Sequence, residues 1–180
     1  MKYDPSLVRQ VRAGVYPPAE DSQLFIESVE VVKGMRVLDM GTGSGVAALH
    51  CARDGAAAVA TDIDPEAARC ALENARANNF SVDVVLADIF DGIRGRFDLI
   101  LFNAPYLPHE SDGEPRSIDG GEGGAELIGR FIAKYKEHLR PGGKAIIIAS
   151  NHTKLEGFEG YRVIGERKLP FEKIFACEFE

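Results

Sequence analysis

Between residues 36 and 102 the chain repeats one pattern: a short apolar run, a turn rich in glycine or aspartate and, twice, an alanine-rich stretch with helical spacing. The apolar runs are residues 36–40, 57–61, 82–87 and 97–102, and the helical stretches are residues 45–53 and a segment opening at Asp64-Pro65. Strands joined through helices pair in parallel, because each crossover returns the chain to the same end of the sheet. The rhythm therefore predicts a doubly wound α/β sheet. Asp64 supplies a capping side chain and Pro65 suits the first helical position, while Ala67, Ala68, Ala71, Leu72 and Ala75 form a narrow apolar stripe.

The second half keeps the rhythm after an interruption. Residues 107–124 lose apolar periodicity and combine glycine, proline and acidic side chains, as expected of a long loop on the substrate side. A helix is then expected with Leu127, Ile128, Phe131, Ile132, Tyr135 and Leu139 on one face, and Pro141-Gly142-Gly143 turns the chain into a strand over 144–149. Residues 161–164 and 173–179, either side of Leu169-Pro170, read as an antiparallel hairpin at one sheet edge. With a helix over 23–32, the expectation is one domain over residues 1–180. It has an N-terminal helical cap (1–33) and a core (34–180) built on a seven-stranded, mostly parallel sheet.

Composition narrows the function classes. At 180 residues and 45% apolar content, the chain supports one core. Its 21 Lys and Arg against 28 Asp and Glu leave a net charge of -7, which provides no sequence-wide basic footprint for nucleic acid. No apolar run approaches a membrane span, and Met1-Lys2-Tyr3-Asp4 does not begin a signal peptide, so a cytoplasmic location is expected. Cys51, Cys70 and Cys177 are widely spaced in apolar surroundings, which predicts buried thiols. His50, His109, His138 and His152 share no ligand spacing, so no metal is assigned.

Ligands of such sheets bind beyond the carboxyl ends of the strands. Four successive strands end near a side chain that accepts hydrogen bonds: Asp39, Asp62, Asp88 and Asn103. After the first comes a glycine-rich turn, with Gly41, Gly43 and Gly45. A dinucleotide fingerprint would place its third glycine at position 46, which is Val46, and this weakens a nicotinamide reading. Asp62 is spaced to accept ribose hydroxyls of either a dinucleotide or an adenosyl group. Asn103-Ala104-Pro105-Tyr106 offers a planar polar side chain, a kinked backbone and an aromatic face, the parts needed to hold an NH2 group. A strand-terminating Asn before a proline turn is the purely structural alternative.

Four motifs in this order and at these intervals resemble those of Rossmann-like S-adenosylmethionine methyltransferases. They are residues 37–45, Asp62-Ile63-Asp64-Pro65, Ala87-Asp88-Ile89 and Asn103-Ala104-Pro105-Tyr106. Residues 15–22 and 119–124 narrow the resemblance to the short HemK-type branch of archaea and eukaryotes, whose members methylate a glutamine of a class I release factor. The resemblance implies a catalytic clamp of Asn103, Ala104, Pro105 and Tyr106. It also implies S-adenosyl-L-methionine lying along Ser22, Asp39, Gly41, Gly43 and Gly45, with its ribose on Asp62 and its adenine between Ile63, Asp88 and Ile89. Asn103 belongs to the cofactor set as well. Glu20 and Asp21 equally suit the start of a helix through its dipole.

The family's motif is Asn-Pro-Pro-Tyr, and Ala104 replaces its first proline here. The chemistry asks for that residue's carbonyl, which alanine also has, but the turn loses a constraint. A nucleic-acid N6-adenine or N2-guanine methyltransferase is the main alternative, since a base amine is also a planar NH2. The 107–124 loop argues against phosphate, with Glu110, Asp112, Glu114, Asp119 and Glu122 against Arg116 alone. A non-catalytic cofactor-binding protein is a third reading. The third strand, residues 82–86, is expected at a sheet edge, where the resembled branch binds a small zinc-binding activator subunit.

Overall fold

β1 (Arg36–Met40), β2 (Ala57–Asp62), β3 (Val82–Leu86), β4 (Phe97–Phe102), β5 (Leu139–Ser150), β6 (Tyr161–Lys168) and β7 (Lys173–Phe179) form one sheet ordered β3-β2-β1-β4-β5-β7-β6. The structure is a computed structural model, and it describes residues 1–105, 126–153, 155 and 158–180. Pairing is parallel from β3 through β5, while β7 runs antiparallel to both β5 and β6. The doubly wound sheet, its edge hairpin and the edge position of β3 are all as the sequence predicts. Strand order reverses between β1 and β4, which opens a crevice beyond their carboxyl ends.

The helices are α1 (Glu20–Glu27), α2 (Val46–Arg53), α3 (Pro65–Ala77) and α4 (Glu126–Ile132). They cover a sheet whose central strands are buried on both faces, so Val37, Leu38, Ile100, Leu101 and Ile147 read as continuous apolar sequence. Asp64 caps α3 by accepting from the Glu66 N–H at 2.9 Å. Cys51, Cys70 and Cys177 are free and buried, and burial pushes the Cys177 thiol up to about 12.

Three expectations need correction. The first helix spans 20–27 and not 23–32: the β-branched Val29, Val31 and Val32 resist helix. It packs on β5, β6 and β7 and against α2, so it belongs to the sheet's covering layer more than to a separate cap. The helix expected through Leu139 stops at Ile132, and a 3-10 turn over Tyr135–His138 leads into β5, where Leu139 pairs with Phe97. Phe131, Tyr135 and Leu139 are buried in either arrangement, so periodicity does not separate the two. Pro141-Gly142-Gly143 consequently lies inside β5, at the shift in its pairing with β4. A Cβ on Gly143 would stand 2.9 Å from the Phe97 carbonyl oxygen, a close approach that only glycine allows.

Two features fix the crevice. Gly45 has φ +87° and caps the start of α2, and a Cβ there would lie 3.0 Å from the Ala71 Cα of α3. We expect Gly45→Ala to cost roughly 1–3 kcal/mol through backbone strain and this clash, measured as a lowered denaturant midpoint; an unchanged midpoint would show that α2 and α3 separate freely. Asn74, fully buried on α3, accepts from the N–H groups of Arg9 (3.0 Å) and Gln10 (3.1 Å) and donates to the carbonyls of Gln10 (2.9 Å) and Ser44 (3.0 Å). Nearby, Arg12 pairs with Glu66 at 2.7 Å and Glu73 at 3.0 Å. The segment before α1 is thereby tied across α3, and its residues Gly14, Val15 and Tyr16 form one wall of the crevice.

Candidate active site

The crevice is a cavity of about 810 Å³. After β1, the chain turns through Gly41 (φ +60°) and Gly43 (φ +54°), conformations that glycine adopts without strain. The turn is held from three sides. The Thr42 N–H donates to the Thr61 carbonyl at 2.8 Å, its hydroxyl donates to Asp39 Oδ2 at 2.6 Å, and the Gly43 N–H donates to Asp62 Oδ2 at 2.9 Å. Asp39 Oδ2 also accepts from the Ala48 N–H of α2 at 3.0 Å, so one buried carboxylate sets both the turn and the helix after it.

On the opposite side, β3 is followed by Asp88 and Ile89. Ile89 has φ +50°, which a β-branched residue reaches only under strain. Asp88 receives a 2.8 Å hydrogen bond from Arg130 on α4, tying α4 to this side of the cavity. Ile63 lines the cavity as an exposed apolar side chain, next to Asp62.

Asn103 follows the last residue of β4, and its amide is oriented. Its Nδ2 donates to Asp21 Oδ2 at 3.1 Å, while its Oδ1 is buried with no hydrogen-bond partner among the described residues. A carboxylate only accepts, so Asp21 fixes which end of the amide it holds and leaves the carbonyl oxygen for something else. Asp21 is itself buried and fixed, because its Oδ1 accepts from the Ser22 N–H at 2.6 Å. A buried acceptor without a donor costs stability, and an incoming N–H group satisfies it.

The sequence-predicted residues mostly converge here. Ser22, Asp39, Gly41, Gly43, Asp62, Ile63, Asp88, Ile89, Asn103 and Pro105 all line the cavity. Gly45 does not, and its missing side chain accommodates α3. Ala104 is 2% exposed and packs in the hydrophobic core, so packing holds the turn where a proline would have stiffened it. Tyr106 lies outside the described residues.

Residues 17–164 match the family described as Methyltransferase small domain. The chain belongs to this methyltransferase family. A relative from Methanocaldococcus jannaschii, named for protein N5-glutamine methyl transfer, is 38% identical over 175 residues, which cover 89% of this chain and 88% of that one. Mouse methyltransferase HEMK2 is 38% identical over 160 residues, covering 79% and 74%. A release factor glutamine methyltransferase from Deinococcus radiodurans is 36% identical over 135 residues, covering 69% of this chain and 49% of that longer one. A solved ribosomal protein L11 methylase from Lactobacillus delbrueckii shares the fold, with a TM-score of 0.68 at 24% identity, covering 91% and 80%.

The methyltransferase's site is acidic. Among the described residues, Asp39, Asp62, Asp64 and Asp88 line the cavity against one guanidinium, that of Arg130. Burial, above all, raises the Asp39 carboxyl to about 7, with Asp62 adding and the hydrogen bonds from Thr42 and Ala48 opposing. Burial also raises Asp62, with Asp64 adding and backbone hydrogen bonds from Asp64 and Gly43 opposing. A carboxyl whose pKa is higher folded than unfolded lends stability fully below about pH 4, and loses it as the pH rises through the folded value. Asn at position 39 keeps one oxygen for both donors and never ionises. Ligand-free Asp39→Asn is therefore expected to melt with the parent below about pH 4 and roughly 5 °C or more above it at pH 8. Equal melting differences at the two pH values would contradict a charge buried at Asp39.

Sequence reasoning left Asp21 undecided between a helix start and a cofactor contact. It sits in the first turn of α1 and reaches Asn103, a link across 82 positions that no local pattern announces. The Arg130 pairing with Asp88 was equally invisible, because an arginine on a helix's polar side looks like a solvated charge. His50, by contrast, is structural: its Nε2 accepts from the Asp4 N–H at 2.8 Å, and its ring stacks on Tyr3.

Proposed function

We propose that this N-methyltransferase uses S-adenosyl-L-methionine to methylate the side-chain amide nitrogen of a protein glutamine, in a class I translation release factor, releasing S-adenosyl-L-homocysteine. The observation that carries the reading is the oriented, unpartnered Oδ1 of Asn103 at the cavity. Two named relatives support the acceptor: one is named for protein N5-glutamine methyl transfer and one for release factor glutamine methylation. The acidic lining also suits a protein better than a phosphate backbone.

The residues present fit the cofactor. A Cβ on Gly43 would meet nothing within 4 Å, which leaves open space for close approach, and the cavity volume suits a nucleoside-sized ligand. Ser22, Asp39, Gly41 and Gly43 would hold the methionine part and Asp62 the ribose, while Ile63, Asp88 and Ile89 would hold the adenine. When bound, the cofactor supplies a methyl group on a positively charged sulfur. The chain's own task is to fix a weakly nucleophilic amide. Asn103 Oδ1 accepts one of its N–H groups and the Ala104 carbonyl the other, which stops rotation of the NH2 and stabilises charge as the nitrogen becomes positive. Pro105 sets the course of the chain there, and stacking on the planar group is the role the motif resemblance assigns to Tyr106. Asp39, ionised above about pH 7, balances the cationic ligand.

A partner subunit belongs to the same proposal. β3 is an edge strand, and its Val85 and Leu86 are 40% and 58% exposed. An unpaired edge with exposed apolar side chains fits strand-side docking of a small zinc-binding activator in the cytoplasm. If the purified chain alone is monodisperse and fully active, the partner is unnecessary. The acceptor is tested with methyl-labelled cofactor, the chain with and without the activator, and either release factor or RNA. Label on the glutamine is expected; label on RNA and none on protein would overturn the reading.

A further inference from the structure

Phe171 is 93% exposed, on the turn between β6 and β7. The turn is built to stay in place. The Leu169 N–H donates to the Glu172 carbonyl at 2.8 Å, the Lys173 N–H donates to Asn151 Oδ1 at 2.6 Å, and His152 Nε2 lies 3.3 Å from the Phe171 carbonyl oxygen. An aromatic ring is thus held in water on a braced support, so little conformational freedom remains to be lost when it packs against something.

Sheet register places this turn on the side of the site. Phe102, the last residue of β4, is level with Ile147 of β5 and through it with Cys177 of β7. From Cys177 the chain extends outward to Lys173, so the turn stands roughly 13 Å beyond the level of Phe102 at about 3.3 Å per residue. It flanks the crevice at the end where Asn103 lies. A second observation connects the two. Glu172 Oε2 is buried with no hydrogen-bond partner among the described residues; burial, above all, and then Asp21 raise the Tyr16 hydroxyl, and the Glu172 carboxylate is near enough to add a little. Tyr16 lines the cavity and contacts Asp21, which orients Asn103. An exposed aromatic anchor and an unused acceptor therefore stand at the same end of the sheet as the acceptor clamp.

We propose that residues 169–172 form a docking lip for the protein segment that carries the acceptor glutamine. Phe171 packs on an apolar side chain of that segment, and Glu172 accepts one of its N–H groups. The inference rests on the protein-substrate reading above. Its occupant is a peptide chain, because the turn pairs an apolar anchor with an acidic acceptor; of the two lysines that flank it, Lys168 and Lys173, the second is paired with Glu166 at 2.7 Å.

The test compares the parent, Phe171→Ala and Phe171→Leu on two substrates: full-length class I release factor, and a tripeptide centred on glutamine, too short to span the distance to the turn. With Phe171→Ala, KM for the release factor should rise about tenfold, as expected for an aromatic anchor. The kcat, the cofactor Kd and kcat/KM on the tripeptide should stay at parent values, and Phe171→Leu should restore part of the loss. An unchanged KM for the release factor, or an equal loss on both substrates, overturns the docking lip and leaves the acceptor assignment standing. A parent enzyme that labels no protein glutamine overturns both, and that outcome is visible before any variant is made.

Discussion

Asn103→Ala is expected to lower kcat by roughly 10²-fold or more, since misplacing a reacting group by about 1 Å costs that much, while the cofactor Kd, shared among many other lining residues, rises far less. Asn103 Oδ1 is a buried acceptor with no donor among the described residues, so the free enzyme holds it ready for an N–H that arrives with the substrate. Removing it leaves the amide NH2 with one acceptor, free to rotate away from the line of transfer. Single-turnover measurements at saturating cofactor would separate this step from product release. Retention of parent-level turnover would mean that the clamp lies elsewhere, and loss of cofactor binding in parallel would indicate a collapsed crevice. The same variant separates an enzyme from a cofactor-binding scaffold.

Asp21→Ala is expected to cost about 10- to 100-fold in kcat/KM through loss of orientation at Asn103. The 3.1 Å hydrogen bond from Asn103 Nδ2 is what points Oδ1 at the cavity. Without the carboxylate, the Asn103 amide turns over readily, and a flipped amide presents donors to a substrate that needs an acceptor. Leaving Nδ2 buried and unpaired also costs about 1–3 kcal/mol of stability. Asp21→Asn should fall between parent and alanine, because its side chain offers an acceptor in one orientation and a repelling NH2 in the other. A purely structural Asp21 would lower the melting temperature of both variants while leaving kcat at its parent value.

The sheet and most of the cavity were legible because they depend on local chemistry. Apolar runs of strand length, the Asp64-Pro65 helix start and the glycines of the first turn each carry a short-range requirement that residue type reveals. The polar strand ends Asp39, Asp62, Asp88 and Asn103 were legible for the same reason: the sheet topology brings successive carboxyl ends to one place. What escaped depends on distance or on degeneracy. Asp21 meets Asn103 only after the whole sheet has formed. The stretch from Phe131 to Leu139 buries its apolar residues equally well in a helix or in a broken turn and strand, so spacing alone favoured the wrong one. Gly45 was assigned to the ligand because it stands in a glycine-rich turn, whereas the space it leaves open is taken by Ala71.

The four hydrogen bonds of Asn74 give ligand affinity a thermodynamic partner. Because three of them tether the segment that walls the cavity and the fourth holds Ser44 of the glycine turn, any ligand touching both that wall and the turn binds only the tethered form. Occupancy and tethering must then favour each other by the same free energy, whichever is varied. Proteolytic protection of the first eighteen residues should therefore rise with cofactor concentration along the binding curve itself, and a loosened tether should weaken affinity without any change in the groups that touch the ligand.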